Sequence, residues 1–350
     1  MIEEISKSLI NEAIDLLASD IHFMPNIDSY HVFFRINGQL HYHKKIPLSL
    51  GRKIIAHYKF LANMDVGEKR RPQSGACQFK ITEEQMVELR LSTITNVNLI
   101  ESLVVRVIFS KVHKSQQINT YFPNQINLIR KLIRSKSGMI LISGPVNSGK
   151  TTTIYQLLRE RMNDEKLQII TMEDPVEIKE PSFLQTQVNE KIGISYDLLI
   201  KSSLRHHPDI LFIGEIRDEE TARMTLRGAL TGHLMIATIH AKDTFGVIAR
   251  LKELTISQQQ LKQSLIGVIS QRLVPRFCPL CKSSVQLSCN HIPKEFHRAA
   301  LFEILYGQHL KEYLNHFDLP LNFFTLNQQL RKAWAYGYIH KKEYDHFEVL

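Results

Sequence analysis

The chain has 350 residues, 43% of them apolar and 23% charged, with a formal net charge of +9. The length suits about two domains, and the composition is that of an ordinary globular protein. No stretch approaches the roughly 18 to 20 continuous apolar residues that a membrane-spanning helix requires. Lysine and arginine are scattered along the chain, so the charge favours a solvated basic surface over a concentrated patch for nucleic acid or lipid.

The amino terminus and the cysteines indicate where the protein works. Residues 1–5 include two glutamates, which is unlike a signal peptide. Four cysteines in 350 residues do not indicate a disulfide framework. We therefore expect the protein to be made and kept in the cytoplasm.

Residues 1–110 predict a small α+β domain. An amphipathic helix is predicted for residues 2–17, because their apolar residues recur at helical spacing. The β-rich run Tyr30–Ile36 leads into Asn37-Gly38, which is the strongest short signal for a hairpin. Further elements predicted in this domain are a helix at residues 50–64 and strands at residues 87–92 and 102–109.

A polar segment, residues 111–124, separates this domain from the rest of the chain and is predicted to be a linker. From residue 125 onward, short apolar runs alternate with helical segments, which predicts a doubly wound, mostly parallel sheet of the α/β class. The carboxyl-terminal part of this second domain, from about residue 257 to residue 350, is predicted to be mainly helical. The predicted strands of the sheet are Met139–Ile142, Lys166–Met172, Asp209–Ile213 and Leu234–Ile239.

A glycine-rich turn between the first of these strands and a helix carries the strongest motif. Its sequence, GPVNSGKT, fits the P-loop pattern G-x-x-x-x-G-K-[ST]. Gly144 and Gly149 let the backbone curl so that its N–H groups point at phosphate oxygens. Lys150 would reach the β- and γ-phosphates, and the Thr151 hydroxyl would bind Mg²⁺. The predicted nucleoside triphosphate site consists of Gly144, Pro145, Val146, Asn147, Ser148, Gly149, Lys150, Thr151 and Thr152.

Two acidic residues lie at the carboxyl ends of predicted strands, where doubly wound sheets bind their ligands. Glu173 ends one strand, and Glu215 follows an apolar strand and one glycine in a Walker B type arrangement. A P-loop enzyme needs one acid to hold Mg²⁺ and another group to orient the attacking water. We assign the binding of Mg²⁺ to Glu215 and the orientation of the attacking water to Glu173. The sequence also permits the two roles to be exchanged.

His233 and His240 flank the last predicted strand of the sheet. Their spacing of seven places the two side chains on opposite faces of an extended strand, so the pair is not expected to chelate one metal. Each histidine is a candidate catalytic sensor of the γ-phosphate. A structural, hydrogen-bonded histidine is the alternative for each of them.

A candidate zinc site lies in the carboxyl-terminal part. Cys278 and Cys281 form a C-x-x-C pair, and Cys289 and His291 follow within the next ten residues. Thiolate and imidazole are the ligands that structural zinc prefers. The alternative is a loop with reduced thiols, because one C-x-x-C pair is weaker evidence than two well-spaced pairs.

Together these motifs resemble those of the secretion and type IV pilus assembly ATPases, the GspE/PilB/PilT superfamily, over nearly the whole chain. Ala18–His22 is similar to the family's amino-terminal motif ASDIH, and Gly144–Thr151 matches its Walker A motif. Residues 60–68 and the chain length are most similar to the motors of competence pili. The other matches are an aspartate box at Ile170–Glu177, a Walker B region at Leu204–Asp218 and a histidine box at Thr231–His240.

This resemblance implies a RecA-like P-loop ATPase domain behind the small N-terminal domain, with ATP and Mg²⁺ as cofactors. It implies a ring, expected to be a homohexamer, attached to a polytopic inner-membrane platform protein at the cytoplasmic face of the cell membrane. ATP turnover would move the two domains and drive pilin subunits into a pilus or pseudopilus used for DNA uptake. Direct, sequence-specific binding of nucleic acid is not expected.

The resemblance also implies that arginines of the small domain approach the phosphates, and the matching positions here are Arg90 and Arg106. Arginine suits this role because its planar fork binds phosphate oxygens with two hydrogen bonds. Many relatives carry a further arginine after Pro72–Gly75, where this chain has Ala76 and Cys77. Relatives with a zinc module have two C-x-x-C pairs, whereas this chain has one.

Three other functions stay open on the sequence. A type II secretion motor would share every motif named above. A nucleotide-gated scaffold with little turnover is disfavoured, because Lys150, Glu173 and Glu215 are all present. A nucleic-acid-translocating ATPase is permitted by the net charge but disfavoured by the scattered basic residues. The run A-I-R-N-L-I-R-E of the retraction motors is absent, which favours assembly over retraction.

Overall fold

The computed structural model describes residues 2–81, 86–108, 118–285, 289–316 and 323–349. The chain divides into two compact units, Met1–Val112 and His113–Leu350. Within the described ranges, no helix combines the length and the apolar character that crossing a bilayer requires.

In the described residues, the first unit contains two helices and six strands. These are α1 (Ile2–Asp15), β1 (Asp20–Pro25), β2 (Ser29–Ile36), β3 (Gln39–Pro47), α2 (Leu48–Leu61), β4 (Gln73–Lys80), β5 (Met86–Thr95) and β6 (Glu101–Ile108). The strands form one antiparallel sheet in the order β3-β2-β1-β6-β5-β4. Successive side chains alternate between its faces, so Phe34 of β2 is buried while Arg35 is only partly buried. Phe23 on the buried face packs against Tyr58 of α2, with ring centroids 6.0 Å apart.

The predicted hairpin at Asn37-Gly38 is present between β2 and β3. Both residues have positive φ, 54° and 85°, as a type I′ turn requires. Strand β4 is not among the predicted elements of this domain. The reason is that β4 is an edge strand in which only Phe79 is fully buried, so the strand carries almost no apolar pattern.

The second unit alternates strands and helices through most of its length. Its first half contains α3 (Pro123–Ile133), β7 (Gly138–Ser143), α4 (Lys150–Asp164), β8 (Ile169–Glu173), β9 (Leu184–Gln187), α5 (Tyr196–Ser203), β10 (Ile210–Ile213), α6 (Glu219–Leu230) and β11 (Leu234–Ile239). Its second half contains α7 (Thr244–Glu253), α8 (Gln258–Ser264), β12 (Leu265–Pro275), β13 (Phe277–Cys278), β14 (Ser283–Ser284), β15 (Arg298–Tyr306), α9 (Gly307–Asn315), α10 (Leu326–Ala335) and α11 (Lys341–Phe347).

Seven strands of this unit form one sheet in the order β15-β12-β7-β11-β10-β8-β9. Only the pair β12 and β15 is antiparallel, and the other pairs are parallel. All six residues of β7 are buried, and neighbouring residues of β7 belong to two different apolar clusters, one on each face. The prediction of a mostly parallel sheet covered on both faces is confirmed.

The prediction that residues 257–350 are mainly helical is wrong for two strands, β12 and β15. Both lie in the main sheet, and β12 pairs with the phosphate-loop strand β7. The centre of β12 is the polar run Ser270-Gln271-Arg272, which is buried. Because these polar residues interrupt the apolar pattern, residues 265–275 show no clear strand signal.

The predicted linker, residues 111–124, is only partly described, because residues 109–117 lie outside the described ranges. Its last residues are held on the second unit. The backbone N–H of Tyr121 donates to the carbonyl of Ala300 at 3.2 Å, and the Tyr121 hydroxyl donates to the carbonyl of Val274 at 2.9 Å. Helix α3 begins at Pro123, inside the segment that was predicted to be a linker.

Candidate nucleotide-binding site

The predicted phosphate loop connects β7 to α4, as a P-loop must. Its backbone turns through three residues with positive φ, namely Gly144 (151°), Asn147 (63°) and Gly149 (80°). Lys150 is the first residue of α4, so the loop lies at the amino end of that helix, where unpaired N–H groups and the helix dipole favour an anion.

Gly144 lies where no side chain fits. A Cβ atom on this residue would be 2.4 Å from the carbonyl oxygen of Gln271 and 2.7 Å from Ser148 Oγ. The adjoining strand β12 therefore packs directly against the backbone of the loop. Glycine at this position is a requirement of the packing as well as of the positive φ.

We expect Gly144→Ala to distort the loop and to lower stability by about 1–3 kcal/mol, because the change adds both backbone strain and a clash. ATP affinity should fall at the same time. Nucleotide titration and thermal unfolding of the two proteins would measure both effects. Gly193→Ala is a suitable control for positive φ alone, since a Cβ there meets nothing within 4 Å.

The Lys150 ammonium is held inside the loop. Its Nζ donates to the carbonyls of Gly144 at 2.8 Å and of Pro145 at 3.0 Å. Burial is the main cause that lowers the pKa of Lys150, and the nearby carboxylates of Glu177 and Glu215 act in the opposite direction. A ligand bound in the loop would therefore meet one partly desolvated cation, the Lys150 ammonium.

Gln271 of β12 supports the loop, and the sequence analysis gave it no role. Its Nε2 donates to the carbonyl of Ser148 at 2.7 Å. Two polar atoms here, Ser148 Oγ and Gln271 Oε1, are buried and have no hydrogen-bond partner among the described residues. Unpaired buried polar atoms, a cradle of turned backbone and a lysine together fit a bound phosphate group.

Glu173 ends β8 and is only 3% exposed. Its Oε1 accepts hydrogen bonds from the Tyr155 hydroxyl and from Thr171 Oγ1, the latter at 2.8 Å. Desolvation by burial is the largest influence on this carboxyl and raises its pKa. Tyr155 is in turn fixed by Gln185, whose Nε2 donates to the hydroxyl at 2.8 Å. The carboxylate is therefore rigidly placed and more basic than an exposed glutamate.

Glu215 follows β10, the strand next to β8, so the two acids lie at the same edge of the sheet. His240 Nε2 lies 2.8 Å from Glu215 Oε1, and Arg217 Nε lies 2.5 Å from Glu215 Oε2. Arg217 also pairs with Asp174 at 2.8 Å. The structure thus brings His240, Glu215 and the residue after Glu173 into one connected network.

The candidate groups lie at the carboxyl ends of four central strands of the sheet. The phosphate loop follows β7, His240 follows β11, Glu215 follows β10 and Glu173 ends β8, and these four strands are neighbours in the sheet. This is the edge at which doubly wound sheets bind ligands.

Among the candidate catalytic residues of this unit, His233 does not lie at that edge. It precedes β11, and its carbonyl accepts a hydrogen bond from the N–H of Gly138 at the start of β7. The six residues of β11 separate it from His240, a span of about 20 Å. Its Nδ1 is 3.2 Å from Thr231 Oγ1. We therefore leave His233 out of the proposed site.

Arg90 and Arg106 belong to the first unit and are direct cross-strand partners on β5 and β6. Arg90 bonds to Glu88, and Arg106 Nε donates to Asp20 Oδ1 at 3.0 Å. Ala76 of β4 is the cross-strand partner of Arg90 on its other side. A side chain at position 76 therefore lies beside Arg90 and Arg106 on the sheet.

The four candidate zinc ligands are close together. The sulfur atoms of Cys278, Cys281 and Cys289 and a ring nitrogen of His291 all lie within 4.8 Å of one another. His291 Nδ1 is 3.3 Å from the sulfur of Cys281 and 3.6 Å from that of Cys278. Three thiols and one imidazole at this spacing fit a closed, four-coordinate metal site.

Comparison with known proteins shows which family the chain belongs to. The family described as "Type II/IV secretion system protein" matches residues 1–329. The competence protein ComGA of Bacillus subtilis (strain 168) is 38% identical over 349 residues, which are 98% of this chain and 97% of that protein. ComGA of Streptococcus pneumoniae (strain ATCC BAA-255 / R6) is 41% identical over 274 residues, which are 78% of this chain and 85% of that protein.

Among solved structures, the pilus retraction motor PilT with bound ADP has a TM-score of 0.68 and 24% identity, and the match covers 98% of this chain and 96% of PilT. This likeness shows a shared fold. It confirms the predicted combination of a small N-terminal α+β domain with a RecA-like domain. A family match that spans residues 1–329, with a relative 38% identical along almost the whole chain, identifies the protein as a member of the type II/IV secretion system protein family, that is, of the secretion and pilus ATPases.

Proposed function

We propose that the protein is an ATP-hydrolysing motor that powers assembly of a competence type IV pilus or pseudopilus for DNA uptake. The observation that carries the proposal is the row of groups at the carboxyl edge of the second unit's sheet, with Lys150 on the phosphate loop and Glu215 and Glu173 on adjoining strands. Similarity to two competence proteins supports the choice of pilus system.

Each group has a role in the proposed reaction. ATP supplies the phosphoanhydride bond, and Mg²⁺ neutralises charge on its phosphates. The backbone of residues 144–149 and Lys150 Nζ bind the phosphates, while Thr151 and Glu215 hold the Mg²⁺. Glu173 orients the attacking water and accepts its proton, a task that its raised pKa favours. The assignments of Glu173 and Glu215 can be exchanged.

His240 and two arginines of the first unit also have roles in the proposed reaction. His240 holds one oxygen of Glu215 and so fixes the orientation of that carboxylate. Arg90 and Arg106 stabilise negative charge that develops on the phosphates, because a guanidinium supplies fixed positive charge in the transition state.

The working form in this proposal is a homohexameric ring. It acts at the cytoplasmic face of the cell membrane and is attached to a polytopic inner-membrane platform protein. Family membership supports these features. A type II secretion motor is the second candidate, because the matched family spans both kinds of system.

DNA uptake by living cells tests the choice of pilus system. In the native host, a chromosomal Lys150→Ala allele should reduce uptake of labelled DNA to background, while Lys131→Ala, a change of an exposed lysine on α3, should leave it unchanged. Normal DNA uptake together with a loss of secreted proteins in the Lys150→Ala strain would instead identify a type II secretion motor.

We also propose that Cys278, Cys281, Cys289 and His291 hold a structural zinc ion. Purified protein should contain about one zinc per chain. Cys281→Ser should lose the metal, whereas Cys77→Ser, which changes the cysteine of the first unit, should keep it. Elemental analysis by mass spectrometry measures the content. Equal zinc in wild type and Cys281→Ser, or none in protein produced with added zinc, would contradict the assignment.

A further inference from the structure

A short segment of the second unit carries His240 to the candidate site. We call residues 240–244, which lead from β11 into α7, the His240 segment. At its start, His240 Nε2 lies 2.8 Å from Glu215 Oε1. Near its end, Asp243 caps α7, because its Oδ1 accepts a hydrogen bond from the N–H of Gly246 at 2.7 Å. The side chain of His240 is more than half exposed, so its position depends mainly on how the backbone of this segment is held.

One buried carboxylate, that of Glu303 on β15, binds the end of the His240 segment. Its Oε1 accepts hydrogen bonds from the backbone N–H of Thr244 at 2.8 Å and from Thr244 Oγ1 at 2.6 Å. Its Oε2 accepts one from the N–H of Leu326 at 2.6 Å. Thr244 is the first residue of α7, and Leu326 is the first residue of α10. Glu303 therefore binds the amino ends of two helices, where the helix dipoles favour a negative charge.

A buried arginine on the neighbouring strand, Arg272 of β12, holds the middle of the His240 segment. Its Nη2 donates to the carbonyl of Lys242, and its Nη1 donates to the carbonyl of Gln271 at 3.1 Å. Glu303 is the cross-strand partner of Ser270, and side chains two residues apart on a strand share a face. Arg272 and Glu303 thus lie on the same face of the sheet, and we call the two residues the clamp.

The clamp is rigid because both of its residues belong to paired strands in the core. Strand β12 pairs with β15 on one side and with β7, the strand before the phosphate loop, on the other. Glu303 is 2% exposed, Arg272 is 7% exposed and Thr244 has no exposed surface. A buried carboxylate that loses its hydrogen-bond donors is costly, so Thr244 is held firmly against Glu303.

We propose that Glu303 is a positioning residue that, together with Arg272, holds the His240 segment and thereby sets the contact of His240 with Glu215. This inference rests on the proposed function, in which Glu215 is one of the two catalytic acids. Both residues of the clamp act through the segment and not on the reacting atoms. An imidazole that is pre-set in this way keeps Glu215 in one orientation, and such preorganisation favours the transition state.

Steady-state ATP hydrolysis by the full chain tests the proposal. Glu303→Gln keeps the shape of the side chain but replaces one acceptor atom by a donor. We expect kcat to fall about tenfold and KM to change less than about twofold, because a misplaced His240 affects the transition state more than ATP binding. In a His240→Ala protein, which has no imidazole left to position, Glu303→Gln should cause no further loss of kcat.

Two further variants separate positioning from stability. Thr244→Val removes only the hydroxyl donor to Glu303 and should lower kcat about threefold. Thr325→Ala is the matched control, because it removes the side-chain cap of α10, the other helix that Glu303 binds, without changing the His240 segment. It should lower the unfolding temperature by about 2–4 °C and leave kcat at the wild-type value.

Hydrogen–deuterium exchange of the nucleotide-free full chain tests the clamp without turnover. The N–H groups of residues 240–246 should exchange about fivefold faster in Glu303→Gln than in Thr325→Ala. Unchanged exchange there, a fully active Glu303→Gln, additive losses with His240→Ala, or equal slowing by Thr325→Ala would overturn the role of Glu303. A wild-type chain without turnover would instead overturn the proposed function, and exchange would still decide whether Glu303 holds the segment.

Discussion

Replacing Lys150 by alanine is expected to remove tight ATP binding and to reduce hydrolysis to background. The Lys150 ammonium lies inside the loop, bonded to the carbonyls of Gly144 and Pro145, and so supplies a positive charge within the proposed phosphate site. Loss of one preorganised charge of this kind typically costs about 100- to 1000-fold in kcat. Titration with a fluorescent nucleotide and a phosphate-release assay would measure the two effects.

Lys131→Ala is the matched control for this experiment, since it removes an exposed lysine outside the loop. It should bind and hydrolyse ATP like wild type. If Lys150→Ala keeps wild-type affinity and turnover, the loop between β7 and α4 is not the ATP site.

Replacing Glu173 by glutamine is expected to preserve ATP binding and to lower hydrolysis by about 100- to 10,000-fold, the usual contribution of a positioned general base. Glutamine has the same shape and its carbonyl can still accept hydrogen bonds from Tyr155 and Thr171, so the fold should be kept. Binding would be followed with a fluorescent nucleotide and turnover by phosphate release. Glu253→Gln, a change of an exposed glutamate of α7, serves as the control.

The pH dependence of turnover gives a second readout of Glu173. A carboxyl must be ionised to accept a proton, so activity falls as the pH drops through its pKa. Burial raises the pKa of Glu173 above that of an exposed glutamate, so the acid limb of kcat should lie at a higher pH than such a group would give. Equal hydrolysis by wild type and Glu173→Gln would reject Glu173 as the base, and a block in Glu215→Gln would then assign that role to Glu215.

The parts of the site that depend on local sequence were predictable. The loop Gly144–Thr151 is encoded by its own residues, and residues 139–142 of the strand before it are all apolar. The acids Glu173 and Glu215 could be placed because each follows an apolar run, and parallel strands put their carboxyl ends on one edge.

Contacts between distant segments could not be predicted. Gln271 supports the loop from β12, a strand whose polar centre lacks the apolar periodicity by which strands are predicted. Its bond to Ser148 joins residues more than one hundred positions apart. The bond of Tyr155 to Glu173 likewise depends on how α4 packs on the sheet. The spacing of His233 and His240 assigns each side chain a face of β11, but it does not tell which of them lies at the carboxyl end of the strand.

The most direct test of the central claim is phosphate release by the purified full chain, measured together with particle mass in the presence and absence of ATP. We expect a ring-sized particle that hydrolyses ATP, and we expect the activity to disappear in Lys150→Ala. A ring-sized wild-type particle that binds ATP but releases phosphate no faster than Lys150→Ala would contradict the motor and would indicate a nucleotide-gated scaffold.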